Sequence, residues 1–307
     1  MSNIQWTEQT WNPVVGCTQV INGDKASSGC LHCYAMRQAY RNQAMGLRGY
    51  QGIAKKTSKG DIVWTGSVNL VCEALAKPLR RRKPTIWFVN SMSDLFHESV
   101  PFEWIDLVFG IMALCPIHSF QILTKRPLRM LKWSEQTDRG DWCNAIIHHT
   151  WQYVCDLVGG TINLDTAIRK PGFPLPHCWL GVSVENQAAA RERIGLLLST
   201  PAALRFLSCE PLLESLDLNA VNTLDGGIDW VIVGGESGHN ARPCSLNWIR
   251  SIVSQCKAAD IPVYVKQLGT DWAKQGGTHR SDSKGGNPQV WAEDLRIREF
   301  PGVGDRG

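Results

Sequence analysis

Along most of the chain, apolar runs of four to six residues give way to polar or glycine-containing turns and then to amphipathic stretches of helical length. A continuous apolar run suits a strand buried on both faces, and its regular alternation with helices marks parallel βα units. The predicted strands are Thr85–Val89, Ser119–Leu123, Cys178–Val182, Leu204–Leu207, Trp230–Val233 and Pro262–Val265, with a seventh near Trp11–Val15. Trp104–Leu114, Ala188–Leu198 and Leu246–Ala258 carry apolar residues at helical spacing and are predicted helices. Tyr34–Arg41, which lacks Gly and Pro, predicts another, and Glu73–Leu79 a shorter one. The expected fold class is α/β, a partial or complete (β/α) barrel over residues 1–270.

Three stretches break the rhythm. Gly46–Gly60 reads as an exposed loop followed by a short strand or hairpin at Ile62–Val68. Lys132–His177 reads as a lid-like insertion with its own helix-like patch, His148–Val158; His148 and His149 face different directions on such a helix and are surface residues before they are metal ligands. Residues 271–307, rich in Gly, Asp, Lys and Ser, read as an irregular wrap anchored by Trp272 and Trp291.

A net charge of +4 over 307 residues neither demands nor excludes nucleic acid. The densest basic run, Arg80-Arg81-Arg82-Lys83, reads as a solvated helix end or as a phosphate patch. No stretch approaches the roughly 20 apolar residues of a membrane span and no leader pattern opens the chain, so a cytoplasmic protein is expected. Of the eleven cysteines, Cys72, Cys115, Cys155, Cys209 and Cys256 sit singly in apolar segments and read as buried thiols rather than disulfides. Trp64, Trp87, Trp179 and Trp230 flank strand-like runs and read as core.

The remaining chemistry collects in two places. Cys17, after Gly16, is followed, after twelve intervening residues, by Cys30-Leu31-His32-Cys33-Tyr34-Ala35. Three thiolates are the ligands of a four-iron cube that keeps one iron open; with His32, His97 or another cysteine as a fourth ligand, the same residues make a structural zinc site. Cys33 precedes a predicted helix, whose N-terminus suits an anionic cluster. The second place is the set of strand ends, where parallel βα folds gather functional groups. They carry Asn90-Ser91-Met92-Ser93-Asp94, Thr124-Lys125-Arg126, Ser183-Val184-Glu185-Asn186, Ser208-Cys209-Glu210-Pro211, Gly234-Gly235-Glu236 and Lys266-Gln267. Carboxylates thus alternate with cations around one rim. Gly234-Gly235 is either a tight turn packed close to its neighbour or a place for backbone to approach a ligand.

With these motifs in view, the chain resembles the bacterial and bacteriophage gene thirty-seven/sixty-eight family of radical S-adenosylmethionine-like proteins, over close to its full length. The residues that carry the resemblance are Thr10–Pro13, Gly16–Thr18, Gly29–Cys30 with His32–Ala35, Val89–Phe96, Gln121–Pro127, Gly181–Asn186, Phe206–Leu212 and Val233–Gly238. The resemblance implies a barrel of the radical S-adenosylmethionine type with a [4Fe-4S] cluster on Cys17, Cys30 and Cys33. The gap of twelve between the first two cysteines departs from the superfamily's usual three, while the gap of two between the last pair is kept. S-adenosyl-L-methionine is the implied second cofactor. Strand order assigns Asn90, Ser91 and Asp94 to its amino group, Lys125 to its carboxylate, Ser183 and Glu185 to its ribose, and Gly234 and Gly235 to backbone contacts. Glu210, Glu236 and Lys266 are the candidate catalytic residues. The implied partners are DNA carrying a modified thymine, as substrate, and an electron donor such as flavodoxin or ferredoxin. A small-molecule or peptide substrate, and a zinc-stabilised nucleic-acid-binding module, are the alternatives.

Overall fold

Six of the seven runs read as strands form strands of one sheet, and the seventh, near Trp11–Val15, is split. A computed structural model describes residues 4–22, 25–135, 150, 153, 173–219, 227–276, 278 and 281–302. Its main sheet runs in the order β1 (Gln9–Trp11), β2 (Ile86–Val89), β3 (Ser119–Thr124), β4 (Cys178–Ser183), β5 (Leu204–Cys209), β6 (Trp230–Gly234) and β7 (Val263–Gln267). Sheet order therefore equals chain order, and the pairings β1–β2, β2–β3, β5–β6 and β6–β7 are parallel. Parallel neighbours need a return path along the sheet, and helices are the usual one. The class is α/β.

Two compact units divide the chain: residues 1–25, 33–180 and 200–203 form the first, and residues 26–32, 181–199 and 204–307 the second. In the first, α1 (Tyr34–Ala44) follows Cys33, α2 (Phe102–Ala113) joins β2 to β3, and α3 (Pro127–Glu135) follows β3. Phe120 on β3 lies 5.7 Å from the Trp11 ring, and α2 buries Ile105, Val108, Phe109 and Met112. A smaller cluster joins Val15, Ala35, Ala39, Ile53, Ala54 and Met92, with Cys33 packed against it. In the second unit, α4 (Gln187–Ser199), α5 (Leu246–Ala258) and α6 (Thr270–Gln275) accompany the strands. Ser245 caps α5 by accepting from the Asn247 amide, and Ile249, Ile252, Val253 and Cys256 form its buried stripe. Phe300 stacks on Trp230 at 5.3 Å, which ties the C-terminal segment to β6.

Several boundaries differ from expectation. The strand expected over Trp11–Val15 breaks after Trp11, because Pro13 has no amide to give a ladder and Asn12 Oδ1 instead accepts from Ser91 Oγ and the Met92 amide, each at 3.1 Å; Val14–Val15 pairs with Asn69–Leu70 in a separate ribbon. The helix expected at Glu73–Leu79 is one turn, Cys72–Leu75, since Pro78 cannot continue it. The loop at Gly46–Gly60 contains a strand, Ala54–Lys56, paired antiparallel with Ile62–Trp64. α3 runs to Glu135, so Lys132 belongs to the βα rhythm rather than to an insertion. His148, His149, Cys155 and most of the helix-like patch lie outside the described residues. The tail is not wholly irregular, for it includes α6 and a buried Trp291. Cys72 and Trp64 are half-buried rather than core, whereas Cys115, Cys209, Cys256, Trp87, Trp179 and Trp230 are buried as expected. Among the described residues, no helix is long and apolar enough to cross a membrane.

Candidate functional site

In the first unit the turn after β2 fixes both Cys17 and Cys33. The Gly16 amide donates to Met92 O at 3.2 Å, and Gly16 has a φ of +96° with Ser67 O only 2.2 Å from where a Cβ would stand, so no other residue fits before Cys17. Cys33 occupies the N-cap position of α1, and Tyr34 Oη donates to Ser91 O at 2.8 Å.

Arg126 organises the surroundings of Cys17. Its Nη1 lies 3.8 Å from Cys17 Sγ and 3.2 Å from Asp94 Oδ2, its Nε contacts both oxygens of Glu98, and its Nη2 donates to Thr18 O and Oγ1 at 3.2 and 2.9 Å. Burial alone would lower the pKa of this guanidinium, but Asp94, Cys17 and Glu98 outweigh burial and raise it, so the cation is permanent. Asp94 is fully engaged: it accepts from Phe96 N, Thr124 Oγ1, Lys125 N and Arg126. It therefore positions Arg126 and has no oxygen left over for an amino group. His97 Nδ1 accepts from the Ser99 amide at 3.0 Å, so Nε2 carries the proton and meets Thr18 Oγ1 at 2.8 Å. Burial lowers its pKa, and with both nitrogens engaged it offers no lone pair to zinc.

Asn90 differs from its neighbours. It sits at a φ of +59°, and although its side chain is buried, neither Oδ1 nor Nδ2 has a partner among the described residues. A buried amide left unpaired costs about 1–3 kcal/mol per group, which makes Asn90 a rim position with capacity for a polar ligand.

In the second unit, the loop that carries Cys30 is held by strand-end carboxylates. Glu185 accepts from Ser27 Oγ, from the Gly29 amide at 3.4 Å and from Arg193 Nη1 at 2.8 Å, and Arg193 is wholly buried. Glu236 accepts from His32 Nδ1 at 3.1 Å and from Arg242 through Nε and Nη2 at 2.9 and 2.6 Å, while Arg242 Nη2 also donates to Ser28 O at 2.8 Å. Burial would push the Glu236 carboxyl up; the hydrogen bonds from Arg242 and His32 outweigh it and hold the carboxyl below its ordinary value. Asn186 Nδ2 adds a bond to Ser28 Oγ at 3.2 Å. Glu185 and Glu236 thus clamp the cysteine loop, and His32 is committed to Glu236.

The other rim residues divide. Lys266 Nζ and Glu210 Oε1 form an ion pair at 2.5 Å, apart from the loop. Ser183 is buried and its carbonyl accepts from Arg193. A Cβ on Gly235 would stand 2.4 Å from Leu268 O and one on Gly234 3.0 Å from Gln267 O, so this pair serves close backbone packing. Sequence reasoning gives no role to Arg193 or Arg242, and Arg126 enters it only as the last residue of the strand-end stretch Thr124-Lys125-Arg126. The run Arg80–Lys83 is exposed and lies before β2, with Arg81 Nε on Thr85 Oγ1 at 3.1 Å; it stands at the strand end opposite Asn90–Asp94.

A family model described as a protein of unknown function, DUF5131, matches residues 1–293. The chain belongs to the DUF5131 family. No curated protein and no solved structure matches it significantly. In this DUF5131 chain the three motif thiols are half-buried and outside any disulfide, whereas burial pushes Cys115 and Cys256 up to about 12 and keeps them protonated. Among the described residues, no three His, Cys, Asp or Glu side chains are gathered so as to hold a metal ion together. Cys17 and Cys33 belong to the first unit and Cys30 to the second; the Arg126 cation stands beside Cys17, Cys33 takes the N-cap position of α1, and Asn90 holds a buried amide with no partner among the described residues.

Proposed function

We propose that the chain is a radical S-adenosylmethionine enzyme of the gene thirty-seven/sixty-eight type, with a [4Fe-4S] cluster on Cys17, Cys30 and Cys33 in a barrel of that superfamily. The observation that carries the reading is the pattern of clamps: the segments bearing Cys17 and Cys30 are each fixed by buried, charge-paired side chains from strand ends. A structural loop has no need of so much buried charge, because burying ion pairs is expensive and weakly stabilising.

Cys17, Cys30 and Cys33 would hold the cluster, which would supply one electron, drawn from the electron donor, for reductive cleavage of S-adenosylmethionine to methionine and a 5′-deoxyadenosyl radical. The chain's own residues bind and orient. Asn90 offers its unpaired amide to the cofactor's polar groups, beside Ser91 and Lys125, while Asp94 and Glu185 act at one remove by holding Arg126 and the Ser27–Gly29 backbone. Glu210 and Lys266, paired with each other, are the strand-end groups left to exchange protons with a substrate. Glu236 is occupied by Arg242 and His32.

The substrate in this proposal is a modified thymine in DNA, the electron donor is a flavodoxin or ferredoxin, and the setting is the cytoplasm of a bacterial or phage-infected cell. A small-molecule or peptide substrate is favoured by one observation, the placement of Arg80–Lys83 at the far end of β2. Incubating anaerobically reconstituted protein with dithionite and S-adenosylmethionine tests the activity itself. 5′-Deoxyadenosine is expected, and its absence from protein that holds a full cluster would overturn the proposal.

A further inference from the structure

Between Cys33 and Gly66 the chain carries six cations, Arg37, Arg41, Arg48, Lys55, Lys56 and Lys59, against one acid, Asp61, although the whole chain is only +4. Summed over the rest of the chain, cations and acids nearly cancel, 26 against 27. All six are exposed, and all lie in the first unit. Arg48 is neutralised by Glu73 at 3.0 Å; the other five have no ion pair among the described residues.

The elements that carry them adjoin one another. α1 buries Ala35, Met36 and Ala39 and turns Tyr34, Arg37 and Arg41 outward at helical spacing. The hairpin Ala54–Lys56/Ile62–Trp64 packs on the inner side of that helix through Ala54, Ile62 and Trp64, which leaves Lys55, Lys56 and the Lys59 turn in solvent. Tyr34, next to Cys33, is 56% exposed, and its hydroxyl is held by Ser91 O. A surface of one sign attracts polyanions from a distance, and a fixed, exposed aromatic among cations gives a nucleobase a face to stack on. By contrast, Arg80–Lys83 lies at the other end of β2, away from Asn90–Asp94.

We propose that the outer face of α1 and its hairpin bind a nucleic-acid strand, with phosphates on Arg37, Arg41, Lys55, Lys56 and Lys59 and a base on Tyr34. The track ends beside Cys33, where the cofactor is proposed to be. This inference rests on the reading of a nucleobase in DNA as substrate and names the surface that receives it.

The test is anisotropy of a labelled single-stranded oligonucleotide with anaerobically reconstituted full-length protein across a range of salt concentrations. Wild-type binding should weaken steeply with salt, by roughly 0.7 in the log–log slope for each neutralised phosphate. Changing the five cations together to Ala should lower affinity at least about tenfold and flatten the slope by up to about 3.5. Tyr34→Ala should weaken binding without changing the slope, and Arg80→Ala/Arg81→Ala/Arg82→Ala should leave both as they are. Retained binding in the five-residue variant, loss in the Arg80 variant instead, or no wild-type binding at low salt would each overturn the proposal; capture of an acidic flavodoxin in place of DNA would assign the face to the electron donor. Iron content and 5′-deoxyadenosine are read on the same samples. If those persist while binding fails, the surface is wrong; if those fail while binding persists, the radical reading is wrong.

Discussion

Arg126 Nη1 lies 3.8 Å from Cys17 Sγ and 3.2 Å from Asp94 Oδ2. A single buried cation therefore joins the end of β2, the end of β3 and the loop of the first motif cysteine. Arg126→Met would leave Asp94 buried without its partner, at a cost of about 3–5 kcal/mol. Arg126→Lys keeps the charge but not the planar fork, and should fall between the two. Chemical denaturation measures all three proteins, and a Met variant as stable as wild type would contradict the role given to this arginine.

Glu185→Ala removes the acceptor shared by Ser27, Gly29 and the buried Arg193. Stability should fall by about 3–5 kcal/mol, as for other broken buried pairs. Because the same acceptor fixes the Cys30 loop, alkylation of Cys30 in cluster-free protein should also become faster under conditions where the chain remains folded. An unchanged alkylation rate would show that the loop is held by other contacts.

The Glu236 carboxyl is held below its ordinary value of 4.5 in the folded chain. A depressed carboxyl stabilises fully above the unfolded value and loses its contribution as pH falls through the folded one. The stability difference between wild type and Glu236→Gln should be constant near neutrality and shrink as pH drops below about 4.5. A difference independent of pH down to about 3 would mean that the carboxylate has no ionised partner.

The fold was readable because strands buried on both faces are written as unbroken apolar runs, and Thr85–Val89 or Trp230–Val233 admit little else. Boundaries failed where local chemistry competes with pattern: Pro13 ends a strand that the apolar pair Val14–Val15 would extend, and Pro78 stops the helix expected over Glu73–Leu79. The close pair Cys30 and Cys33 stands out in the sequence by its spacing, and the residues that hold the Cys30 loop do not. Arg193 on α4 has the look of a solvent-facing helix residue and meets Ser27 only through folding. Glu185 and Glu236 were rightly placed at strand ends, but a sequence does not tell a ligand contact from a loop clamp.

Gly235→Ala separates packing from ligand binding at the double glycine. An added Cβ would stand 2.4 Å from Leu268 O, so the variant should lose about 1–3 kcal/mol whether or not S-adenosylmethionine is present. A variant of full stability that fails to bind S-adenosylmethionine would return the position to the ligand site.

The central claim is that Cys17, Cys30 and Cys33 hold a cluster, and anaerobic iron and sulfide analysis tests it most directly. Wild-type protein should be brown, with about four irons and four sulfides per chain. Cys17→Ala, Cys30→Ala and Cys33→Ala should each lose them, while Cys256→Ala keeps them. Stoichiometric zinc without iron after reconstitution, or a full complement of iron in the three motif variants, would contradict the account.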